Sequence, residues 1–229
     1  IIMLTKFMEK RQIKAHCYWP QELGSSETFG DVTLLLAGQS AMEEQQITLR
    51  TFIMTHRYSS EAKEVAHIHY TEWPDFGVPV STRVIRRVIA LMDQYQQLYP
   101  VRPIVAHCSA GIGRTGTLLA VHSFLSRHSG EAKLTVKEIV EDMRAHRMGM
   151  VQTKEQYSFI YQTIEDALTE RSQMNNGTTP PNVVTATGSL LNPSPVASTD
   201  SNGRSKSSSW RTRSSPAIRT SGEIGAIPS

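Results

Sequence analysis

A strand, a glycine-containing loop and a helix follow one another between residues 103 and 125. Pro103–Ala106 is a short apolar run, the loop from His107 to Arg114 contains two glycines, and the apolar residues after Thr117 recur at helical spacing. A loop that enters a helix N-terminus turns successive backbone N–H groups inward, and together with the helix dipole these groups bind anions. The sequence therefore predicts an anion site at this turn.

Cys108 lies within the predicted anion site, and Arg114 follows it six residues later. The pKa of a free cysteine is about 8.5, and a helix N-terminus with a nearby cation lowers it by several units, so we expect Cys108 to be a nucleophilic thiolate. The planar guanidinium of Arg114 can bind two phosphate oxygens. One alternative is that Cys108 is a small buried hydrophobe. Another is a nucleotide-binding loop, which would need a lysine where Arg114 precedes Thr115.

Asp75 is the candidate acid for such a reaction, because a phosphate ester leaves poorly unless its oxygen receives a proton. Pro74, Gly77 and Pro79 indicate that Asp75 lies in a loop. On its own, an aspartate after a proline is more often a turn residue. The presence of Cys108 downstream favours the catalytic interpretation.

Residues 107–115, which we call the signature loop, resemble the signature loop of the protein tyrosine phosphatases. The resemblance implies that Cys108 is the nucleophile and that Arg114 binds phosphate. It further implies that the Thr115 hydroxyl helps to release the sulfur and that His107 tunes the thiolate. The phosphate-binding positions implied are Ser109, Ala110, Gly111, Ile112, Gly113 and Arg114.

The run from Trp73 to Pro79 resembles the mobile loop of the same family, and we call residues 73–77 the acid loop. The resemblance implies that Asp75 acts first as general acid and then as base toward water, with Trp73 anchoring a hinge. Closure of such a loop would exclude bulk water during the reaction.

Two further segments resemble motifs of this family, in the family's order along the chain. Gln152 would position the hydrolytic water with support from Gln156, although both also suit the start of a helix. Glu9 would pair with Arg114, and Lys14 would approach the acid loop. The alternative for Glu9 is a solvated surface carboxylate.

The first half of the chain predicts strands, around Thr28–Leu36, Gln46–Arg57 and Lys63–Tyr70, with a turn at Ser40–Gln45. The second half predicts helices at three cap signatures. These are Ser81 or Thr82, the pair Thr135 and Glu138, and the pair Thr153 and Gln156. Strands followed by helices predict an α/β (α+β) fold with a twisted mixed β-sheet flanked by helices, as the family resemblance also implies.

Composition changes near Arg171, and residues 171–229 are rich in Ser, Thr, Asn, Pro and Gly. Such a segment buries too little apolar surface to fold, so we expect a disordered tail after a catalytic domain at residues 1–170. The tail has a net charge of +4, which leaves the domain at −1. Its basic residues are spaced by serines, which favours a solvated linker over a nucleic-acid or lipid-binding segment.

Ile1–Leu4 predicts a buried strand at the very start of the chain. We therefore expect a truncated chain. The resemblance implies that helices, part of the sheet and a loop carrying a tyrosine that walls the substrate pocket precede it in complete family members. The fold is accordingly expected to be incomplete at its N-terminus.

Phosphotyrosine in proteins is the expected substrate, and no nucleic-acid partner is expected. Dual-specificity and phosphoinositide phosphatases share the Cys-to-Arg spacing, but the signature loop lacks the lysine that a highly anionic inositol phosphate would favour. A different class of function is also open, in which a truncated chain binds phosphotyrosine or a partner without catalysis.

Two cysteines form neither a disulfide framework nor a metal cluster, and no apolar run is long enough to span a bilayer. A cytoplasmic protein without a cofactor is therefore expected. His67 and His69 lie on one face of a predicted strand, which suits a metal, but no third ligand is evident and no metal site is expected.

Overall fold

The computed structural model describes residues 1–42, 46–127 and 134–175. Within these ranges a six-stranded mixed sheet has the strand order β4-β5-β6-β7-β1-β8. Its strands are β1 (Ile2–Met3), β4 (Ser26–Phe29), β5 (Val32–Met42), β6 (Ile47–His56), β7 (Ala62–Tyr70) and β8 (Ala106–His107). A separate hairpin is formed by β2 (Met8–Glu9) and β3 (Gln12–Ile13).

The helices that follow are α1 (Thr82–Leu98), α2 (Gly113–Arg127), α3 (Val136–His146) and α4 (Lys154–Asn175). Ser81 is the N-cap of α1, and Thr135 and Glu138 form the predicted capping box at α3. The predicted α/β (α+β) class, with a mixed sheet and helices, is confirmed.

Strand β1 lies between β7 and β8 and is parallel to both, with Met3 opposite His69 on one side and His107 on the other. The predicted strand at Ile1–Leu4 is therefore present, as the fifth of the six strands and next to the edge strand β8. This position places the start of the signature loop, which follows β8, directly beside the segment that follows β1.

Successive strand residues point to opposite faces, so the sheet separates two apolar clusters. Ile2 and Ile68 pack with α1, α2 and α4 in the larger cluster. Met3 packs with Trp19, Leu36 and Phe52 in the smaller one. The smaller cluster is covered by the segment that leads from the β2–β3 hairpin to β4.

One strand prediction and one turn prediction are wrong in detail. The predicted strand Thr28–Leu36 is two antiparallel strands, because Gly30 has a positive φ of 63° and turns the chain between Phe29 and Val32. The predicted turn at Ser40–Gln45 begins too early, since β5 continues to Met42, which pairs with Ile47. Long-range pairing with β6 overrides the polar local sequence there.

Helix α4 passes the predicted domain boundary at residue 170 and continues to Asn175. Within this helix Tyr161 is exposed, whereas Phe159 and Thr163 are buried. The remainder of the predicted tail, residues 176–229, lies outside the described residues, as do residues 43–45 of the predicted turn. The tail's predicted disorder therefore stays a prediction.

Candidate active site

The signature loop joins the end of β8 to the start of α2, as its sequence pattern predicts. The residue Cys108 is 7% exposed, and its Sγ accepts a hydrogen bond from the backbone N–H of Gly111 at 3.3 Å. Burial by itself would raise the pKa of the Cys108 thiol. A polar contact from the Thr115 hydroxyl, together with the N–H groups of Thr115, Gly111 and Ile112, outweighs burial and lowers that pKa.

The Thr115 hydroxyl is itself buried and has no hydrogen-bond partner of standard geometry among the described residues. A buried hydroxyl without such a partner is costly, which makes the adjacent sulfur of Cys108 its available acceptor. The two side chains therefore form a polar pair at the start of α2.

Two backbone carbonyl groups of the signature loop, those of Cys108 and Ala110, are paired with side-chain donors. His107 Nδ1 lies 3.0 Å from the carbonyl oxygen of Cys108, and Arg147 Nη2 donates to the carbonyl oxygen of Ala110 at 2.9 Å. Because these carbonyls bond outward, the N–H groups of the same loop remain free to face an anion. Nothing in its sequence context identifies Arg147, which the sequence interpretation missed.

Two glycines of the loop have clear steric reasons. Gly111 has a φ of +71°, a backbone conformation that residues other than glycine rarely adopt. A Cβ on Gly113 would lie 2.3 Å from Oε1 of Gln152, so only glycine lets the glutamine side chain approach the loop. Gln152 thus packs directly against the signature loop.

The side chain of Arg114 is 3% exposed and makes a two-pronged ion pair with Glu9, with Nη1–Oε1 and Nη2–Oε2 both 2.6 Å. Nη1 also donates to the Leu4 carbonyl at 3.1 Å, and Nη2 to Oδ1 of Asp75 at 2.9 Å. Burial alone would lower the pKa of Arg114, but the bonds to Glu9 and Asp75 raise it. Glu9 is therefore a partner of Arg114 and not a solvated carboxylate.

Asp75 bridges two cations in this structure. Lys14 Nζ lies 2.6 Å from its Oδ2, and Arg114 lies at its Oδ1. Burial would raise the pKa of Asp75, but the contacts with Lys14 and Arg114 lower it. The predicted approach of Lys14 to the acid loop is present.

The acid loop is closed by a bond between its ends, from Nε1 of Trp73 to the Gly77 carbonyl at 3.0 Å. Trp73 is 1% exposed and packs edge-on against Phe159 of α4. Phe76 beside Asp75 has a φ of 57° and is exposed. The acid loop thus begins at the buried Trp73 and exposes Phe76, whose backbone conformation is strained.

Gln156 is fully buried and joins the acid loop to the segment before α4. Its Oε1 accepts from the N–H of Gln152 at 3.0 Å, and its Nε2 lies 3.4 Å from the Gly77 carbonyl. The predicted helix start at Thr153 and Gln156 is therefore found in part. Thr153 caps the Gln156 N–H, but the Gln156 side chain contacts Gln152 and Gly77 of the site.

A cavity of about 90 Å³ lies where these segments meet. It is lined by Lys14, Asp75, Phe76, Cys108, Ser109, Ala110, Arg114, Gln152 and Gln156. A larger and mainly apolar cavity of about 420 Å³ lies between β7 and α1, and its wall carries neither a cysteine nor the acid loop. The smaller cavity is therefore the candidate active site.

His67 and His69, considered above as metal ligands, contact Arg50 in the structure. Arg50 Nη1 lies 3.5 Å from Nδ1 of His67 and 3.4 Å from Nδ1 of His69. Across the described ranges, no group of three or more potential metal ligands is brought together. Nor is any helix in those ranges long and apolar enough to cross a membrane.

A family model for protein-tyrosine phosphatase matches residues 1–166. The chain belongs to the protein-tyrosine phosphatase family. It is 37% identical over 169 residues to the receptor-type tyrosine-protein phosphatase eta of Mus musculus, covering 73% of the chain and 13% of that protein. It is 36% identical over 171 residues to the tyrosine-protein phosphatase non-receptor type 61F of Drosophila melanogaster, covering 73% of the chain and 31% of that protein.

A third relative is the receptor-type tyrosine-protein phosphatase epsilon of Rattus norvegicus, 37% identical over 171 residues, which cover 72% of the chain and 24% of that protein. The matched part of the chain therefore spans less than a third of the length of each of these curated relatives. Receptor and non-receptor members both occur among them, so the predicted cytoplasmic location stays a prediction.

Proposed function

We propose that this chain hydrolyses phosphotyrosine in proteins through a phosphocysteine intermediate on Cys108. The observation that supports the proposal most directly is the small cavity that Cys108, Arg114 and Asp75 line together. A sulfur with a lowered pKa, a preorganised guanidinium and a carboxyl group are the three groups that transfer of a phosphoryl group to sulfur requires.

In the first step the Cys108 thiolate attacks phosphorus, and the bond from phosphorus to the tyrosine oxygen breaks. Protonated Asp75 gives its proton to the leaving oxygen, so that tyrosine departs as a neutral phenol. Arg114 and the inward N–H groups of the signature loop bind the non-bridging oxygens. Family resemblance and cavity lining both support these roles.

In the second step water attacks the phosphocysteine, and Asp75 accepts a proton from that water. The sulfur–phosphorus bond breaks, inorganic phosphate leaves and Cys108 returns as a thiolate. Gln152, which packs against Gly113, positions the water, and the Thr115 hydroxyl stabilises the departing sulfur.

Asp75 forms an ion pair with Arg114 in the candidate active site. In this pair the carboxylate is held as an anion, because the contacts with Lys14 and Arg114 lower its pKa. An arriving phosphate competes for the same Nη2 of Arg114, and its negative charge beside Asp75 then raises the carboxyl pKa. Substrate binding thereby favours the protonated form that the first step uses.

Phosphotyrosine is preferred over phosphoinositides for two reasons. The signature loop contains no lysine between Ser109 and Gly113, whereas a highly charged inositol phosphate would be bound better by extra cations. The acid loop and the Gln152 segment also occur together here, a combination that the other cysteine phosphatase classes generally lack.

The test is phosphate release by the full chain from a phosphotyrosine peptide, a phosphoserine peptide and a phosphatidylinositol phosphate. We expect the phosphotyrosine peptide to be hydrolysed best and Cys108→Ser to lower the rate at least about a thousandfold. Cys17→Ser is the matched control, because Cys17 is exposed and does not line the cavity, and it retains activity within about twofold.

Full activity of Cys108→Ser would overturn the proposal. Tight binding of the phosphotyrosine peptide by the wild-type chain without phosphate release would instead support the binding function that the sequence leaves open. Preferred hydrolysis of the lipid would move the chain to another phosphatase class.

A further inference from the structure

Four polar side chains form a continuous chain on the sheet face that the smaller apolar cluster covers. Arg50 Nη1 faces His67 Nδ1 at 3.5 Å, His67 Nε2 lies 3.0 Å from the Tyr18 hydroxyl, and that hydroxyl lies 2.7 Å from His107 Nε2. His107 Nδ1 then meets the Cys108 carbonyl at 3.0 Å. We call Arg50, His67, Tyr18 and His107 the histidine chain.

The two ends of the histidine chain fix the direction of every hydrogen bond within it. A guanidinium only donates, so His67 Nδ1 carries no proton and the neutral ring is protonated at Nε2. Nε2 therefore donates to Tyr18, and the Tyr18 hydroxyl donates to His107 Nε2. His107 is then protonated at Nδ1 and donates to the Cys108 carbonyl, which only accepts.

The reverse direction would be unfavourable at both ends. His67 would present an N–H to the guanidinium of Arg50, and His107 would present a lone pair to the Cys108 carbonyl oxygen. Two donors or two acceptors facing each other in a buried site lose the hydrogen bond and repel. Arg50 at one end of the histidine chain and the Cys108 carbonyl at the other therefore favour the same direction of the hydrogen bonds.

Burial keeps the His67 ring of the histidine chain neutral. His67 is 1% exposed and packs between Trp19 and Phe52, at ring distances of 4.8 and 5.6 Å. Burial, followed by the charges of His69 and Arg50, lowers the pKa of His67 to about 2. Burial likewise raises the pKa of Tyr18 above its usual value.

We propose that Arg50, His67 and Tyr18 are positioning residues that fix the tautomer of His107 and, through it, the outward direction of the Cys108 carbonyl. Turning this carbonyl outward keeps the following N–H groups of the signature loop aimed at the sulfur. The effect on turnover rests on the proposed function, whereas the tautomers themselves do not.

His69 provides a matched control within the same cluster. Its Nδ1 also faces Arg50, at 3.4 Å, but its Nε2 donates to the Thr5 carbonyl at 2.8 Å and not to Tyr18. A glutamine places an amide N–H near the position of Nε2. His69→Gln therefore keeps the bond to Thr5 and leaves the histidine chain intact.

The direct test is ¹⁵N NMR of the histidine rings in the full wild-type chain at neutral pH. We expect His67 to carry its proton on Nε2 and His107 to carry its proton on Nδ1. A His107 ring protonated at Nε2 alone would overturn the proposal, whatever the activity of the chain.

The second test measures the pH dependence of Cys108 alkylation by iodoacetamide in a Cys17→Ser background. We expect Tyr18→Phe and His67→Leu to raise the apparent thiol pKa by about half a unit to one unit, the equivalent of one lost hydrogen bond. His67→Gln, which retains a donor toward Tyr18, restores most of the shift. His69→Gln leaves the alkylation profile unchanged.

Tyr18→Phe removes only one oxygen, so a cooperative thermal melt is expected to show that its fold is retained. An unchanged alkylation profile in a folded Tyr18→Phe variant would contradict the proposal. If the wild-type chain released no phosphate from any substrate while these alkylation shifts appeared, the proposed function would fail and the positioning role would stand.

Discussion

The guanidinium of Arg114 donates to both carboxylate oxygens of Glu9, each across 2.6 Å. Because the pair is two-pronged, the plane of the guanidinium is fixed before any phosphate enters the cavity. A group that is already oriented loses little conformational freedom when it binds an anion, which strengthens transition-state binding. In the proposed reaction Glu9 is therefore a positioning residue that acts through Arg114.

Glu9→Gln is expected to lower kcat/KM for a phosphotyrosine peptide about tenfold to a hundredfold, because Arg114 loses one charged partner and its fixed plane. Steady-state kinetics at neutral pH measure this change. Glu72→Gln is the control, since Glu72 is about half exposed and pairs with Lys6, and we expect an effect within twofold. Equal effects of the two variants would contradict the role of Glu9.

Asp75→Asn is expected to lower kcat about a hundredfold to ten-thousandfold on phenyl phosphate, because no proton reaches the leaving oxygen. The loss should be smaller on p-nitrophenyl phosphate, whose leaving group departs without full protonation. Comparison of the two substrates is the measurement. An equal loss on both would indicate that Asp75 contributes binding and not acid catalysis.

Gly113→Ala and Gly116→Ala are expected to fail in different ways. A Cβ on Gly113 meets the end of the Gln152 side chain, which can move, so we expect a retained fold and about a tenfold lower kcat as hydrolysis of the phosphocysteine slows. A Cβ on Gly116 would lie 2.6 Å from the backbone nitrogen of Val151, which cannot move easily.

For Gly116→Ala, overpacking of about 1–3 kcal/mol should lower Tm by about 3–10 °C. Thermal melts and burst kinetics of both variants separate the two outcomes. A large fall of Tm in Gly113→Ala with a normal burst would contradict the assigned contact with Gln152.

Acid is expected to weaken the fold through Glu9 and Asp75. Both carboxyl groups have lowered pKa values in the folded state: burial opposes the shift, but bonds from Arg114 to Glu9, and from Lys14 and Arg114 to Asp75, outweigh it. The stability they contribute is complete above their unfolded values of about 4 and is lost as pH falls through the folded values.

Melts between about pH 3 and pH 7 should therefore show a shallower acid loss of Tm in Glu9→Gln than in wild type. The exposed carboxylate of Glu141, 3.8 Å from Lys137, provides a control through Glu141→Gln, which should retain the wild-type profile. Parallel profiles for wild type and Glu9→Gln would show that the Glu9 pair does not stabilise the fold.

The sequence predicts the parts of the site that depend on local geometry. The strand, glycine loop and helix around Cys108 and the capping box at Thr135 are encoded within a few residues, and both are found. The contacts of Glu9 with Arg114 and of Lys14 with Asp75 are predicted only by the family resemblance, because no local pattern joins residues so far apart in the chain.

The sequence does not predict the features that depend on long-range packing. The bond from Arg147 to the Ala110 carbonyl joins residues 37 positions apart, and the sequence around Arg147 is that of an ordinary helix end. Similarly, His67 and His69 share a face as predicted, but the cation they meet is Arg50 on the neighbouring strand. Strand register, which the sequence leaves open, decides such partners.

The central claim is that the Cys108 sulfur takes the phosphoryl group. The most direct measurement is mass spectrometry of the full chain after acid quenching of its reaction with a phosphotyrosine peptide, using Gln152→Ala to slow hydrolysis of the intermediate. We expect the added phosphate on the peptide that contains Cys108, and none in Cys108→Ser. Phosphate release without any phosphorylated Cys108, or phosphate on another residue, would contradict the account.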